Sequence, residues 1–184
     1  MRPDGRGEHD SLYFTYPHFD APAEAGTNPA PVVIVGAGPV GMVAALELAR
    51  HGQRSVLIDA KATFNDGSRA ICIARASYHI LDRIGALTPF LQKSLPWTTG
   101  RSFYRGQQIL EFAMPDSPDD RFRPMYNLQQ QHIEQFLWDA VAAQPLIETR
   151  WQTRLEGIEI QPRGAVLTLT DPHRTYQLPA RWVL

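Results

Sequence analysis

Three glycines, Gly36, Gly38 and Gly41, follow directly on the apolar run of residues 32–35, and a helical pattern begins among them. In a strand–turn–helix unit of this kind, the first glycine permits the tight turn. The second lets the backbone approach a pyrophosphate, and the third lets the helix pack closely on the strand. The pyrophosphate is held by the unpaired amides at the helix N-terminus. The spacing therefore predicts a dinucleotide site, whose expected contacts are Gly36, Gly38, Pro39, Val40 and Gly41.

An acidic residue stands where such a site needs one. Residues 56–58 form a second apolar run, and Asp59 follows it, 23 residues after Gly36. A carboxylate about 20 residues beyond the first glycine accepts hydrogen bonds from a ribose hydroxyl of the nucleotide. We expect this role for Asp59. The other two interpretations are a glycine turn that serves packing alone and an acid that is merely solvated at the end of a strand.

The composition is that of an ordinary globular domain without a nucleic-acid or membrane partner. The chain has 184 residues, 43% of them apolar, and its formal net charge of −1 argues against nucleic-acid binding. Its apolar runs fall far short of the roughly 20 residues of a transmembrane helix, and residues 1–30 lack a signal-peptide core. Cys72, the single cysteine, stands in an apolar stretch and is expected to be buried. One cysteine excludes an internal disulfide and fits a cytoplasmic location.

The hydrophobic pattern predicts an α/β fold in which a mobile N-terminal arm, residues 1–30, precedes one domain, residues 31–184. Helical periodicity covers residues 39–51, 73–85 and 129–143, and strand patterns cover residues 101–104, 108–112, 158–160, 167–169 and 176–184. The first two strand patterns flank Gly106, which predicts a hairpin. The aromatic residues that we expect to pack part of the arm against the domain are Tyr13, Phe14, Tyr16 and Phe19.

Longer stretches of the chain carry a family resemblance. They are Gly67-Ser68-Arg69-Ala70-Ile71-Cys72, Trp97-Thr98-Thr99-Gly100-Arg101 with Tyr104-Arg105-Gly106, and Asn127-Leu128-Gln129-Gln130 with Ile133-Glu134-Gln135. They resemble the 3-(3-hydroxyphenyl)propionate hydroxylase branch of the group A FAD-dependent aromatic hydroxylases, a family of flavoprotein monooxygenases. Residues 32–59 resemble the FAD-binding start of the same family. The similarity covers approximately residues 30–184.

The resemblance implies a Rossmann-type FAD-binding domain with a parallel sheet and an additional β-hairpin or β-meander. Carried over by position, Arg69 approaches the phosphates or ribitol of FAD, and Gln130 hydrogen-bonds the diphosphate–ribitol region. The alternatives are a solvated cation for Arg69 and an ordinary polar residue at a helix start for Gln130. The resemblance also implies NADPH or NADH as reductant, with molecular oxygen and a phenolic or aromatic molecule as substrates. We assign no catalytic side chain, because the flavin carries the chemistry.

The chain departs from this family in two respects. Ala76-Ser77-Tyr78-His79 stands where the branch often has Arg-Thr-Leu-Glu. The Asp-Gly motif that members carry after a strand like residues 181–184, and the later Gly-Asp motif that holds the ribityl chain, have no counterpart in these 184 residues. We therefore expect a truncated domain that retains FAD weakly and does not turn over substrate by itself.

Two alternative functions stay open at this stage. An NAD-dependent Rossmann dehydrogenase uses the same turn, since the glycines and Asp59 suit NAD and FAD equally well. A non-catalytic, truncated remnant would bind FAD weakly or not at all. No metal site is expected, because the six histidines lack ligand spacing. Asp116, Asp119 and Asp120 match no cation-binding loop, and a solvated turn is expected there.

Overall fold

The computed structural model describes residues 14–65 and 72–184. The helices in this part of the chain are α1 (Pro39–Arg50), α2 (Arg75–Arg83), α3 (Leu87–Lys93) and α4 (Gln130–Ala142). The strands are β1 (Ala30–Val35), β2 (Ser55–Ile58), β3 (Cys72–Ala74), β4 (Leu95–Trp97), β5 (Thr99–Tyr104), β6 (Gln107–Ala113), β7 (Met125–Asn127), β8 (Ile147–Arg150), β9 (Arg154–Gln161), β10 (Gly164–Thr170) and β11 (Thr175–Val183). None of these helices has the length and apolar character that crossing a membrane requires.

A six-stranded sheet organises the domain, with the strand order β8-β2-β1-β11-β10-β9. Strands β8, β2, β1 and β11 are parallel, and β10 and β9 continue the sheet as an antiparallel meander. Strand β2 is buried along its whole length, as expected for a central strand of a parallel sheet that is covered on both faces. The predicted α/β fold with a parallel sheet and a meander is confirmed.

Helices α1 and α4 share one hydrophobic core on the sheet. Met42 and Leu46 of α1 are buried in it together with Leu137 and Val141 of α4. Burial of each such side chain contributes about 1.5 to 3 kcal/mol to folding. This packing holds the first turn of α1 near the first turn of α4, and residues from both turns line one cavity.

Residues 14–30 lie against the domain. Phe14, Tyr16 and Phe19 pack on the same core, and the Phe19 ring stacks on Trp151 with ring centroids 4.2 Å apart. The Arg150 guanidinium donates a hydrogen bond to the carbonyl of Gly26 at 2.9 Å. The expected packing of the aromatic residues is therefore present from Phe14 onwards. Residues 1–13, with Tyr13, lie outside the described residues.

Helix α2 begins two residues later than the sequence pattern predicted. Residues 72–74 pair instead with β7, forming β3 in a three-stranded sheet of order β3-β7-β4. Tyr78, in the stretch that departs from the family pattern, is fully buried and stacks on Tyr126 at 3.8 Å between ring centroids. Its hydroxyl donates a hydrogen bond to Ser94 Oγ at 2.5 Å. Burial raises the pKa of Tyr78, and this tyrosine is part of the core.

The predicted hairpin is present as β5 and β6, which pair on either side of Gly106. Almost all of its residues are exposed, including Phe103 and Ile109. It forms a separate two-stranded sheet beside the main one.

The acidic loop of residues 114–124 forms ion pairs that the sequence pattern did not predict. Arg75 forms ion pairs with Asp116 at 3.0 Å and with Asp120 at 2.9 Å. It also donates a hydrogen bond to the carbonyl of Phe122 at 2.8 Å. Asp116, Asp119 and Asp120 nevertheless remain exposed, as predicted for a solvated turn.

Candidate functional site

The glycine turn has the geometry that its spacing predicted. Gly36 has a φ of +109°, a conformation that side chains other than glycine disfavour. Its amide donates a hydrogen bond to the carbonyl of Ile58 at 2.8 Å, which ties the turn to β2. A Cβ atom on Gly41 would lie 1.9 Å from the carbonyl oxygen of Gly36. The third glycine is thus required for the close approach of α1 to the end of β1.

The N-terminus of α1 is open to an anion. Gly38 is the N-cap residue, no side chain caps the helix, and its first turn contains no acidic residue. A Cβ on Gly38 would meet no protein atom within 4 Å. The first amides of a helix lack partners within the helix and carry its positive dipole end. These features suit a pyrophosphate lying over Gly38.

Val40 supports the same interpretation. It lies in the first turn of α1 and is 85% exposed, which is a large exposure for a branched apolar residue. The rest of α1 buries its apolar residues against the core. A planar or apolar part of a bound cofactor would cover the Val40 side chain.

Asp59 lies beside the glycine turn, at the carboxyl end of β2. Its Oδ2 accepts a hydrogen bond from the amide of Ala37 at 2.8 Å, and its Oδ1 accepts one from the amide of Lys61 at 2.8 Å. Its own amide donates to the carbonyl of Arg150 at 3.0 Å. The carboxylate is therefore held in one orientation and is only partly buried, so that each oxygen can accept a further hydrogen bond from a ribose hydroxyl.

Gln130 opens α4 on the other side of the site. It is 8% exposed, and its Nε2 donates a hydrogen bond to Glu134 at 2.7 Å. Gln130 lines a mainly apolar cavity of about 630 Å³ together with Pro39 and Val40. The structure thus brings Gln130 to the same cavity as the first turn of α1. Arg69 lies outside the described residues.

Cys72 lies on the wall of this cavity and is exposed. The prediction of a buried thiol was wrong, because Cys72 begins the short strand β3 at the cavity and does not lie in a core element. A larger cleft, of about 1250 Å³, is lined by the ends of β9, β10 and β11 and by Ala30. Neither the glycine turn nor Asp59 lines that cleft.

Glu134 and Asn65 also belong to the neighbourhood of the site, and sequence reasoning assigned them no role. Glu134 is only 1% exposed. Its Oε2 accepts a hydrogen bond from the amide of Asn65 at 2.8 Å, and its Oε1 accepts one from Asn65 Nδ2 at 2.7 Å. One signal was available: Glu134 stands in the apolar stripe of α4, four residues after Gln130 and so on the same face of the helix.

The titratable groups indicate no metal chemistry in the described part of the chain. No three His, Cys, Asp or Glu residues there are grouped so that they could hold a metal ion. On α4, burial lowers the pKa of His132, and the nearby charge of Lys93 lowers it further. The His132 ring packs on Phe14 and Phe136. We therefore assign this histidine to packing.

Taken together, these residues fit an extended dinucleotide. Asp59 suits the ribose of the adenosine half, and the open N-terminus of α1 suits the pyrophosphate. The cavity beyond Val40, with Gln130 on its wall, suits the other half of the molecule. This arrangement offers contacts suited to binding and orienting a cofactor, and none of the residues named here needs to act as an acid or base.

Comparison with known proteins identifies the family. Residues 29–184 match the family model described as FAD binding domain. Para-nitrophenol 4-monooxygenase of Pseudomonas sp. (strain WBC-3) is 28% identical over 155 residues, which are 83% of this chain and 38% of that protein. The 3-(3-hydroxy-phenyl)propionate/3-hydroxycinnamic acid hydroxylase of Mycobacterium sp. (strain JLS) is 31% identical over 144 residues, 77% of this chain and 25% of that protein.

A solved structure agrees on the fold. The p-nitrophenol 4-monooxygenase PnpA from Pseudomonas putida DLL-E4 superposes with a TM-score of 0.78 at 24% identity, covering 86% of this chain and 40% of that one. The chain thus spans two fifths or less of the length of these relatives. The family match selects FAD over NAD as the dinucleotide. On the match over residues 29–184, the chain belongs to the FAD-binding domain family.

Proposed function

We propose that the chain is the FAD-binding part of an NAD(P)H-dependent flavoprotein monooxygenase that hydroxylates a phenolic or aromatic substrate. The observation that carries the proposal is the Asp59 carboxylate, held 2.8 Å from the Ala37 amide beside an uncapped helix N-terminus. The names of the relatives, which include p-nitrophenol and hydroxyphenylpropionate hydroxylases, support the substrate class. A cytoplasmic location is part of the proposal and is supported by the single cysteine.

The proposed contacts divide FAD between two sides of the site. Asp59 accepts hydrogen bonds from the adenosine ribose. The glycine turn, with Gly36, Gly38 and Gly41, lets the pyrophosphate reach the amides at the start of α1, where Pro39 and Val40 lie against it. Arg69 and Gln130 contact the phosphate–ribitol region. We further propose that residues 31–184 form the FAD-binding domain and that residues 1–30 form an arm, part of which packs on it through Phe14, Tyr16 and Phe19.

In this proposal, FAD would supply the oxygenating chemistry when bound, with NADPH or NADH as the reductant and molecular oxygen as co-substrate. The side chains of this chain bind and orient the cofactor. An NAD-dependent dehydrogenase is disfavoured by the family match. A non-catalytic remnant that binds FAD weakly is the second candidate, and the binding and turnover measurements below separate it from the first.

Purified chain is expected to bind FAD and not NAD. The physical reason is that the mainly apolar cavity beside Val40 and Gln130 suits the large uncharged ring of a flavin better than the cationic nicotinamide ring of NAD. Binding is measured by quenching of flavin fluorescence during titration, with NAD as the competitor. Protection of the chain by NAD, without affinity for FAD, would overturn the assignment.

Coupled hydroxylation is not expected from the 184 residues by themselves. Among the described residues, the cavity lined by Val40 and Gln130 opens widely to solvent, and a reactive flavin exposed to water loses its oxygenating capacity to side reactions. The measurement compares NADPH consumption with hydroxylated product from a panel of phenols that includes p-nitrophenol. Product in stoichiometric yield would contradict this expectation and would assign the full activity to this chain.

A further inference from the structure

Glu134 is a buried carboxylate that accepts hydrogen bonds from neutral donors in the described part of the chain. It accepts hydrogen bonds from the amide of Asn65 at 2.8 Å, from Asn65 Nδ2 at 2.7 Å and from Gln130 Nε2 at 2.7 Å. It lies in the apolar stripe of α4 between Ile133 and Leu137, which are both buried. Taking a carboxylate out of water costs several kcal/mol, and an apolar side chain would fill the same space at less cost. Packing alone therefore does not account for an acid at this position.

The hydrogen bonds of Glu134 complete a chain of contacts across the site. On the adenosine side, Asp59 accepts a hydrogen bond from the Lys61 amide, and the Lys61 ammonium donates to Asn65 Oδ1. Asn65 then donates twice to Glu134, which also accepts from Gln130. The residue proposed to bind the ribose is thus connected to the residue proposed to contact the ribitol.

We propose that Glu134 is a positioning residue that sets the spacing between the adenosine-side loop, residues 59–65, and the flavin-side start of α4. An ionised carboxylate can only accept hydrogen bonds, so the amide nitrogen of Gln130 must face it and the amide oxygen faces the other way. Its two bonds to Asn65 hold the far end of the adenosine-side loop against α4. This inference rests on the proposed function, because it concerns how the same site holds FAD.

The test compares FAD with ADP, because ADP contains the adenosine half and the pyrophosphate but has no ribitol or flavin. Glu134→Gln keeps the size of the side chain but replaces one acceptor oxygen with a donor. At least one of the three N–H groups that donate to Glu134 then faces another N–H group instead of an acceptor oxygen. We expect FAD affinity to fall about tenfold or more, since hydrogen bonds to a charged group are lost. ADP affinity should stay unchanged, because the Ala37 and Lys61 amides still orient Asp59.

Two further variants sharpen the test. If Glu134 acts through Gln130, the double variant Gln130→Ala/Glu134→Gln should lose less FAD-binding free energy than the sum of the losses in the two single variants. Asp139→Asn is the matched control: it removes an acidic charge from the exposed side of the same helix, where Asp139 accepts a hydrogen bond from Gln135. It should change neither affinity. FAD is measured by fluorescence quenching, ADP by calorimetry, and folding by thermal unfolding.

The outcomes separate the inference from the proposed function. Equal losses of FAD and ADP affinity, together with a lower melting temperature, would mean a purely structural role and would overturn the inference. Unchanged FAD affinity in Glu134→Gln would also overturn it. If Glu134→Gln does not fold, Asn65→Ala decides by the same FAD-to-ADP comparison. If the unaltered chain binds neither ligand, the proposed function fails, and the inference fails with it.

Discussion

Replacement of Gly41 by alanine is expected to abolish FAD binding and to lower the free energy of unfolding by about 1 to 3 kcal/mol. The new Cβ would lie 1.9 Å from the carbonyl oxygen of Gly36, and that oxygen belongs to the backbone of the glycine turn. Neither atom can move unless α1 shifts away from the end of β1. Such a shift loosens the core around Met42 and displaces the amides that are proposed to hold the pyrophosphate. Thermal unfolding and flavin fluorescence titration measure the two effects.

Alanine substitutions at two other glycines test the effects on folding and on FAD binding separately. A Cβ on Gly38 meets no protein atom within 4 Å, and the φ of Gly38 is −78°, which alanine adopts easily. Gly38→Ala should therefore fold normally but weaken FAD binding about tenfold or more, because its methyl group occupies the space over the helix N-terminus. Gly157→Ala, in β9, adds a methyl group to open space and should change neither property. Undiminished FAD binding by Gly41→Ala would contradict the proposed site.

The elements that could be predicted from the sequence are those whose signals are local. The glycine turn, α1 and the hairpin around Gly106 each depend on residues within a dozen positions of one another. The position of Asp59 follows from the regular length of a strand–helix–strand unit. The parallel order of β1 and β2 follows in the same way, because the helix between them forces a crossover.

The features that sequence reasoning missed depend on contacts between distant residues. Asn65 and Glu134 are 69 positions apart, and Arg75 and Asp116 are 41 positions apart. Residues 73 and 74 fitted the helical pattern predicted for residues 73–85, yet residues 72–74 pair with β7 and form a strand. This same pairing brought Cys72 to the cavity surface. In each case a contact with a distant residue determined the local structure, and the sequence pattern of the segment itself does not identify that residue.

Replacement of Asp59 by alanine is expected to weaken FAD binding by about 1 to 3 kcal/mol, the range for charged hydrogen bonds left unmade. This corresponds to about a fivefold to more than a hundredfold rise in the dissociation constant. The loss has two sources: the ribose hydroxyls lose their acceptor, and the amides of Ala37 and Lys61 lose the carboxylate that orders the turn. ADP should lose as much affinity as FAD, because both carry the ribose. The two ligands are titrated in parallel.

Asp171 provides a control that separates these two sources. It lies in the turn between β10 and β11, and its Oδ1 accepts hydrogen bonds from the amides of His173 at 2.8 Å and Arg174 at 2.9 Å. Asp171→Ala therefore removes two amide hydrogen bonds from a turn, as Asp59→Ala does, but does so at a position with no proposed contact to FAD. It should lower the melting temperature and leave FAD affinity unchanged. If both variants lose stability but neither loses FAD affinity, Asp59 orders its loop without binding the ribose, and the proposed adenosine contact is wrong.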